Sequence, residues 1–237
     1  MENAGYTTLT RQSGLLREIQ TVANNIANAT TTGFRQEGLI FSEHVVGTSS
    51  GPSLSMARAN VRNTSYLQGA LTHTGAAFDL AIEGDGFFLV ETQAGERLTR
   101  AGSFALSAAG DLVTYDGNRV LDAGGAPVFI PPDAADVAVA EDGTISVDGR
   151  LMGQIGIVAP TDRNAMVREG GVMFRSDAGF EPVDLPRVRQ GFVERSNVDP
   201  IGQMARLIEV QRAYEMGQSF LDAENDRVRE TLKTFNR

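Results

Sequence analysis

The chain has 237 residues, of which 41% are hydrophobic, so it can form one large domain or two small ones with a real core. It contains no cysteine, which excludes a disulfide framework, a thiol nucleophile and a cysteine-ligated zinc site. The net charge of -9 falls on the middle of the chain, because residues 1–40 balance to 0 and residues 191–237 to -1. An acidic middle argues against a nucleic-acid partner, which requires a basic face.

The sequence predicts no membrane insertion and no cleaved Sec signal. No apolar run reaches the roughly 18 residues that a membrane-spanning helix requires. The first residues, MENAGYTTLTRQSGLLREIQ, lack the basic region and the apolar run of a secretory signal peptide. If the protein leaves the cytoplasm, another export route must carry it.

Residues 1–41 are predicted to contain an amphipathic helix that ends near Gly33, a reasonable helix terminator. A weak heptad pattern places apolar side chains at Leu9, Leu16, Ile19, Ala23 and Ile26, and Gln12 fills the gap in it. Asn24, Asn25 and Asn28 follow, although asparagine is a mediocre helix former. Either the helix ends gradually here or these amides are needed for contact with another group.

The middle of the chain has the texture of β structure. Residues 42–77 are rich in small polar residues and are predicted to be an extended linker, followed by a β-rich domain over residues 78–190. The predicted strands are Phe87–Val90, Ser103–Ser107, Asp111–Tyr115, Val137–Val139, Thr144–Val147 and Gln154–Val158. The predicted turns are Asp116-Gly117, Gly124-Gly125, Asp142-Gly143 and Asp148-Gly149.

Residues 191–237 are predicted to contain a second, longer helix. Asp199 is an N-cap residue, and Pro200 suits the first helical position. A 3.5-residue repeat then runs through Met204, Leu207, Gln211, Tyr214, Gln218, Leu221, Asn225, Val228, Leu232 and Phe235. Such a helix is roughly 50 Å long, which is too long for a compact domain of this size. The predicted fold class is therefore α+β, with two terminal helices forming a coiled-coil-like unit and an all-β domain inserted between them.

The short motifs that could indicate an enzyme do not stand in the structural context that they require. Gly47–Gly51 matches G-x-S-x-G with Ser49 in the centre, but a loop-like stretch surrounds it instead of a strand and a helix. His44 and His73 are the only histidines, and a solvent or linker role suits them better than a catalytic or zinc site. Glu83–Gly86 lacks the acidic ligands of a calcium loop and is predicted to be a tight turn. We expect no catalytic residue, no cofactor and no metal.

Several motifs, taken together and in order, resemble those of bacterial flagellar rod and hook proteins. At the N-terminus these are Ala-Asn-Asn-Ile-Ala-Asn, residues 23–28, and Thr-Gly-Phe, residues 32–34. In the middle they are Glu-Gly-Asp-Gly-Phe-Phe, residues 83–88, and Arg-Ala-Gly-Ser-Phe, residues 100–104. Near the C-terminus they are Ser-Asn-Val, residues 196–198, and Gln-Arg-Ala-Tyr-Glu, residues 211–215. Among family members the ends are most similar to those of a proximal rod protein.

The resemblance implies a structural subunit of the flagellar basal-body rod, the periplasmic drive shaft that transmits torque from motor to hook. It implies that residues 1–41 and 191–237 form the inner-tube (D0-like) domain and that residues 78–190 form the outer (D1-like) domain. It further implies export by the flagellar type III apparatus and contact with other copies and other rod proteins. The alternatives are a distal rod or hook-type sibling and, more remotely, a periplasmic β-domain enzyme or carbohydrate-binding module.

The predicted assembly interface combines the two heptad stripes with the asparagines, whose amides can donate and accept and so fix register without charge. On the N-terminal side it contains Leu16, Ile19, Ala23, Asn24, Asn25, Ile26 and Asn28. On the C-terminal side it contains Met204, Leu207, Gln211, Tyr214, Gln218, Leu221, Asn225, Val228 and Leu232.

Overall fold

The computed structural model describes the backbone of residues 2–48 and 51–235 and the side chains of residues 7–41 and 63–234. The chain divides into two compact units. Unit 1 comprises residues 1–29, 36–66 and 198–237, and unit 2 comprises residues 30–35 and 67–197. The α+β class is confirmed, because unit 1 contains both long helices and unit 2 is built from strands.

Unit 1 contains the helices α1, Glu2–Ala27, and α2, Pro200–Phe235. They run antiparallel, since Asn25 near the end of α1 bonds to Gln203 near the start of α2, and Gln12 bonds to Tyr214 further along. Asp199 caps α2 as predicted: its side-chain Oδ1 accepts from the backbone N–H of Ile201 at 3.1 Å. By contrast, α1 ends at Ala27, six residues before the terminator predicted at Gly33.

A long β-hairpin completes unit 1. Strand β1, Glu37–Thr48, pairs antiparallel with β2, Gly51–Thr64, with an irregularity in register between Ile40 and Phe41. Most of the segment predicted as a linker over residues 42–77 is therefore paired β structure. Its small polar composition obscured the strands, because β-propensity arguments depend on β-branched and aromatic residues.

Unit 2 contains sixteen strands, β3 to β18, and one 3₁₀ turn, Arg163–Ala165. The strands are Leu71–His73, Leu80–Ile82, Phe87–Thr92, Gly95–Thr99, Phe104–Leu106, Leu112–Thr114, Arg119–Val120, Val137–Val139, Thr144–Val147, Arg150–Gln154, Ile157–Pro160, Met166–Glu169, Met173–Ser176, Phe180–Pro182, Val188–Gln190 and Phe192–Glu194. The first, β3, pairs with the last, β18, so the two ends of unit 2 lie side by side.

Nine of these strands form the main sheet, in which the order β14-β15-β6-β5-β9-β8-β7 is extended by β13 and β16. A smaller sheet has the order β10-β11-β12. Five of the six predicted strands are confirmed. The sixth, over residues 154–158, straddles two strands, since β12 ends at Gln154 and β13 begins at Ile157.

The predicted Asp-Gly turns connect strands as expected. Asp148 and Gly149 join β11 to β12 and have φ angles of +49° and +75°, a left-handed pair that suits a tight hairpin. The core of unit 2 is made of apolar side chains from both sheets, among them Phe88, Phe104 and Ile145, which are at most 4% exposed. This core holds the backbone segments that carry the motifs described below.

Candidate functional site

The two helices of unit 1 meet along a seam that agrees only in part with the predicted heptad stripes. On α1 the buried side chains include Leu15, Val22 and Asn25, each one residue before a predicted position. On α2 every second residue of the predicted heptad stripe lies in the seam. At each of the other predicted positions, the preceding residue lies in the seam instead. Its buried or half-buried positions repeat every 3.5 residues, at Gln203, Leu207, Val210, Tyr214, Gly217, Leu221 and Glu224. The seam therefore includes polar residues and glycine as well as apolar residues.

Several residues of the predicted assembly interface lie outside this seam. Leu207, Tyr214 and Leu221 are half-buried in it, and Ile19, Ile26 and Asn28 are also half-buried. The remaining predicted residues, apart from Asn25, are exposed: Leu16, Ala23, Asn24, Met204, Gln211, Gln218, Asn225, Val228 and Leu232. For this exposed set, contact with another subunit stays a prediction.

Asn25 differs from its neighbouring asparagines because its amide is fully used inside unit 1. The side chain is 0% exposed, and its Nδ2 donates to the carbonyl of Glu37 at 2.7 Å and to Oε1 of Gln203 at 3.0 Å. Its Oδ1 accepts from the backbone N–H of Glu37 at 3.0 Å. Asn25 thus joins α1, α2 and β1, and the intersubunit hydrogen bond predicted for it is replaced by bonds within the chain.

An ion pair crosses the same helix seam. Both Arg206 Nε and Nη2 donate to Glu18 Oε1, at 2.8 and 2.6 Å. The hydrogen bonds that Arg206 donates to Glu18 raise the pKa of Arg206, and burial opposes this only in part. The Glu18 side chain is 11% exposed and that of Arg206 is 51% exposed, so this partly solvated pair links α1 to α2 but adds only modest stability.

Gln12 occupies a distinctive place in the helix seam. It is 7% exposed, and its Nε2 donates to the backbone carbonyl of Tyr214 at 2.8 Å. Gly217 allows this approach, since a Cβ at that position would lie 2.5 Å from Gln12 Nε2. Among the described residues, the buried Oε1 of Gln12 has no hydrogen-bond partner. Gln12 also lines a groove of about 340 Å³ between α1 and α2.

The outward side of α2 carries an apolar stripe whose side chains are at least half exposed. Ile201, Met204 and Ile208 are spaced at i, i+3 and i+7, so they lie on one face of the helix. They are 80%, 55% and 51% exposed. We call these three residues the outer stripe. A row of large apolar side chains on a helix surface is typical of a protein interaction site.

In unit 2, three of the quoted motifs converge on a buried ionic cluster. Arg35 follows the Thr-Gly-Phe motif, Arg100 begins the Arg-Ala-Gly-Ser-Phe motif, and Glu194 stands two residues before the Ser-Asn-Val motif. Arg35 Nη2 lies 2.7 Å from Glu194 Oε1, and Arg100 Nη1 lies 3.2 Å from Glu194 Oε2. The backbone N–H of Gly69 also donates to Glu194 Oε1, at 3.0 Å.

Arg100 connects this cluster to the turn before β5. Its guanidinium donates to the carbonyl of Ile82 at 3.1 Å and to the carbonyl of Gly84, which belongs to the Glu-Gly-Asp-Gly motif. The same guanidinium lies 5.4 Å from the centre of the Phe87 ring. The predicted tight turn at Glu83–Gly86 is confirmed, with positive φ at both glycines. Within this turn the carbonyl of Gly84 accepts a hydrogen bond from the buried Arg100.

Backbone contacts bring the N-terminal and C-terminal motifs together beside the cluster. Gly33, with φ +71°, donates its N–H to the carbonyl of Glu194 at 2.8 Å. A Cβ at Gly33 would clash with the backbone nitrogen of Ala101. Asn197 donates its N–H to the carbonyl of Phe34 at 3.3 Å, and Arg168 covers the Phe34 ring at 4.6 Å. The Thr-Gly-Phe motif, residues 32–34, is therefore part of unit 2.

The buried charges shift the basicity of both arginines. Burial lowers the pKa of Arg100 to about 10, although the Glu194 carboxylate opposes the shift. Burial also lowers the pKa of Arg35, and Glu194 again opposes it. With a pKa of about 10, the Arg100 guanidinium remains charged at neutral pH. Two cations around one anion in a desolvated site favour one arrangement of the chain, because each wrong partner leaves a buried charge unpaired.

Sequence reasoning missed this cluster, since charged side chains are normally expected at the surface. A signal was present: Arg35, Arg100 and Glu194 each adjoin or belong to a motif quoted for the family resemblance. The short motifs that could indicate an enzyme do not form a comparable site in the described residues. Ser49 and the side chain of His44 lie outside the described residues, and His73 packs edge-on against Phe192 with ring centres 4.9 Å apart.

In the part of the chain that the structure describes, no group of three or more acidic or histidine side chains is placed to hold a metal ion. No helix in the same part is long and apolar enough to cross a membrane.

Three sequence families match this chain, and together they reach both ends. Residues 6–35 match the family described as "Flagella basal body rod protein". Residues 81–147 match the "Flagellar hook protein FlgE/F/G D1 domain", and residues 189–234 match the "Flagellar basal body rod FlgEFG protein C-terminal" family.

Individual relatives match over nearly the whole length. The flagellar basal-body rod protein FlgF of Caulobacter vibrioides is 40% identical, with 94% of this chain and 93% of the relative covered. FlgF of Mesorhizobium japonicum is 37% identical over 99% of this chain and 98% of the relative. FlgG of Bacillus subtilis is 30% identical over 96% and 97%. The motifs that meet at Glu194 and the whole-length similarity agree: the chain belongs to the flagellar basal-body rod protein family and is most like its members named FlgF.

Proposed function

We propose that this chain is a structural subunit of the proximal part of the flagellar rod and that the helices of unit 1 form its contacts with neighbouring subunits. The observation that carries this proposal is the outer stripe, in which Ile201, Met204 and Ile208 are each more than half exposed. Covering such side chains against another subunit stabilises an assembly by about 25 cal/mol per Å² of apolar area. Many copies of a modest contact can then make a stiff shaft.

The two units have different interiors, and this difference supports different roles for them in the rod. The seam of unit 1 contains Gln12, Glu18 and Asn25, so it is specific without being strongly apolar. Unit 2 has its own apolar core and its own ionic cluster. In our proposal unit 1 supplies the intersubunit packing in a coiled-coil-like inner tube, and unit 2 folds independently of that packing and faces outward. Torque passes through the repeated helix contacts.

The proposal includes periplasmic assembly after export by the flagellar type III apparatus. Its support is the membership of the chain in the flagellar basal-body rod protein family. Its partners are other copies of this chain and other rod proteins. It is not an enzyme in this proposal. A substrate-dependent or sugar-dependent rise in its melting temperature would instead support the β-domain enzyme or carbohydrate-binding alternative.

The direct test is to locate the protein in isolated basal bodies. A strain that produces the chain with an epitope tag in the turn at Gly170 and Gly171 should yield basal bodies in which the tag is present in the proximal rod. These glycines lie in the turn between two strands and have open space around them, which makes this turn the choice for the insertion. Label at the distal end of the rod would support the distal or hook-type sibling, and its absence from basal bodies would contradict a rod role.

A further inference from the structure

Helix α1 has an exposed apolar stripe of its own. Leu9, Leu16 and Ala23 are spaced seven residues apart, so they lie on one face of the helix, and all three are exposed. The residues between them on this face, Ser13 and Gln20, are exposed and uncharged. We call Leu9, Leu16 and Ala23 the α1 stripe. Unit 1 thus exposes an apolar stripe on each of its two helices.

The two stripes are bulky at opposite ends of the helix pair. The bond between Asn25 and Gln203 places the end of α1 beside the start of α2. The outer stripe therefore lies level with about residues 19–26 of α1, where the exposed side chain of the α1 stripe is the small Ala23. Leu9 and Leu16 lie level with about residues 211–218 of α2. There the face that carries the outer stripe continues with polar residues, Gln211 and Glu215.

This distribution fits two copies that lie side by side at the same height. The outer stripe of one copy then meets the α1 stripe of the next copy at Ala23. Because alanine is small, the two helix axes can approach to about 8 Å, and Met204 and Ile208 can pack around the Ala23 position. Two outer stripes facing each other would instead bring bulky side chains against bulky side chains.

The charges of the two helices also favour contact between unlike stripes. Apart from the ion pair that crosses the seam, α1 has two charged residues within residues 7–27, and both are positive: Arg11 and Arg17. The level part of α2, residues 200–220, has two negative residues and one positive residue outside that pair: Glu209, Glu215 and Arg212. Contact of α1 with α2 therefore joins helices of opposite net charge, whereas contact of α1 with α1 joins like charges.

Contact between unlike stripes can also repeat along an assembly. Each copy has one α1 stripe and one outer stripe, so every copy can bind one neighbour with each of them. A contact between two outer stripes is isologous and would stop at a dimer. A rod requires the repeating kind of contact.

We propose that the outer stripe of one copy packs against the α1 stripe of the next copy, with Met204 and Ile208 on either side of Ala23. This inference rests on the proposed rod function and names the partner of the outer stripe, a second copy of this chain, together with the surface that it uses.

The natural absence of cysteine makes disulfide cross-linking a clean test. The variant Ala23→Cys/Ile208→Cys places one thiol on each stripe. The matched control is Ala23→Cys/Glu209→Cys, because Glu209 is 69% exposed and adjacent to Ile208 but lies about 100° further around the helix. The single-cysteine variants identify bonds between like positions, and a bond within one chain leaves the protein at the size of a monomer.

Basal bodies are isolated from cells that produce each variant in place of the unsubstituted chain, oxidised and separated without reductant. We expect the Ile208 pair to give covalent dimers and larger species at least tenfold more strongly than the Glu209 control. Neither single-cysteine variant should give larger species than a dimer, and Ile208→Cys alone should give few dimers.

A size exchange provides a second test without cysteines. Ala23→Leu should enter the rod at least fivefold less often, because the added side chain occupies the space needed by the next copy. Its melting temperature should stay within about 2 °C of the unsubstituted chain, since Ala23 is exposed in the subunit. Adding Ile208→Ala should restore incorporation, whereas adding Glu209→Ala should not. Quantitative immunoblotting of basal bodies measures incorporation.

The outcomes separate the inference from the function on which it rests. If the cysteine variants are in the rod but the two pairs give equal or no cross-links, the stripe contact is wrong and the rod function stands. The same conclusion follows if the thiols bond only to a different rod protein, or if Ile208→Cys alone dimerises as strongly as the pair. If the cysteine variants do not enter the rod, the size exchange decides, and failure of Ile208→Ala to rescue Ala23→Leu overturns the contact. Absence of the unsubstituted chain from basal bodies would overturn the proposed function itself.

Discussion

Arg35 and Glu194 come from opposite ends of the chain and form an ion pair of 2.7 Å in which each side chain is 1% exposed. Unit 2 therefore contains an essential piece of the N-terminal region: residues 30–35 fold with residues 67–197. The Gly-Phe motif is explained by this placement. It carries Arg35 to a carboxylate that also receives Arg100 and the backbone of Gly69.

The first prediction concerns the cluster anion. Glu194→Gln removes the only carboxylate within the described cluster and leaves Arg35 and Arg100 facing each other in a desolvated site. Breaking a buried pair in this way lowers the free energy of unfolding by about 3–5 kcal/mol. Urea denaturation followed by circular dichroism measures the loss.

The matched control for this charge change is Glu91→Gln. Glu91 pairs with Arg119 at 3.6 Å, and both side chains are at least half exposed, so the change should stay within about 0.5 kcal/mol. Equal losses in the free energy of unfolding from the two substitutions would show that burial of the cluster does not stabilise the protein.

The second prediction tests the close approach at Gly33. Gly33→Ala combines an unfavourable φ of +71° with a clash against the Ala101 backbone. Gly117→Ala is the control, because its φ is +82° and open space surrounds it. Overpacking should make the Gly33 variant less stable than the control by about 2 kcal/mol or more. Similar denaturation midpoints for the two variants would contradict the packing assigned to the Gly-Phe motif.

The third prediction separates two adjacent asparagines. Asn25→Ala removes the three hydrogen bonds by which the buried Asn25 amide joins α1 to Glu37 and Gln203, which costs about 3 kcal/mol. Asn24→Ala changes an exposed residue and should alter stability by less than about 0.5 kcal/mol. Thermal unfolding of the purified protein compares them. A large loss from Asn24→Ala alone would reverse the assignment.

The fourth prediction concerns the outer stripe. Ile208 is 51% exposed, so Ile208→Asp should lower the stability of the isolated subunit by only about 1 kcal/mol, because half of the side chain is already in water. Burying that carboxylate between subunits is unfavourable, so the variant should enter the rod at least tenfold less often. Quantitative immunoblotting of basal bodies measures incorporation, and Ile208→Leu should assemble normally. Normal incorporation of the aspartate variant would mean that the stripe faces water in the rod.

The sequence predicted the fold class and most strands of unit 2, because alternating apolar residues and Asp-Gly turns are local signals. It misplaced about half of the helix seam by one residue. The heptad pattern was drawn through the largest apolar side chains, including Leu16 and Met204, whereas the seam buries Glu18 and Asn25. Burial of polar groups depends on partners from distant parts of the chain, and periodicity carries no information about them.

The ionic cluster could not be predicted from the sequence for the same reason. Arg35, Arg100 and Glu194 look like surface residues when each is considered alone, and only the pairing of β3 with β18 and the fold of residues 30–35 brings them together. The hairpin of β1 and β2 was missed because its residues lack a strong strand pattern. The cluster thus depends on long-range pairing, whereas the hairpin lacks a clear local signal.

The central claim is that this chain is a rod subunit whose outer stripe is covered by a neighbouring subunit. A cryo-EM map of the intact basal body with side-chain density tests it most directly. We predict that the chain can be placed in the proximal rod with Ile201, Met204 and Ile208 packed against a neighbour. A rod map that has no density for this chain, or that leaves all three side chains exposed to solvent, would contradict the claim.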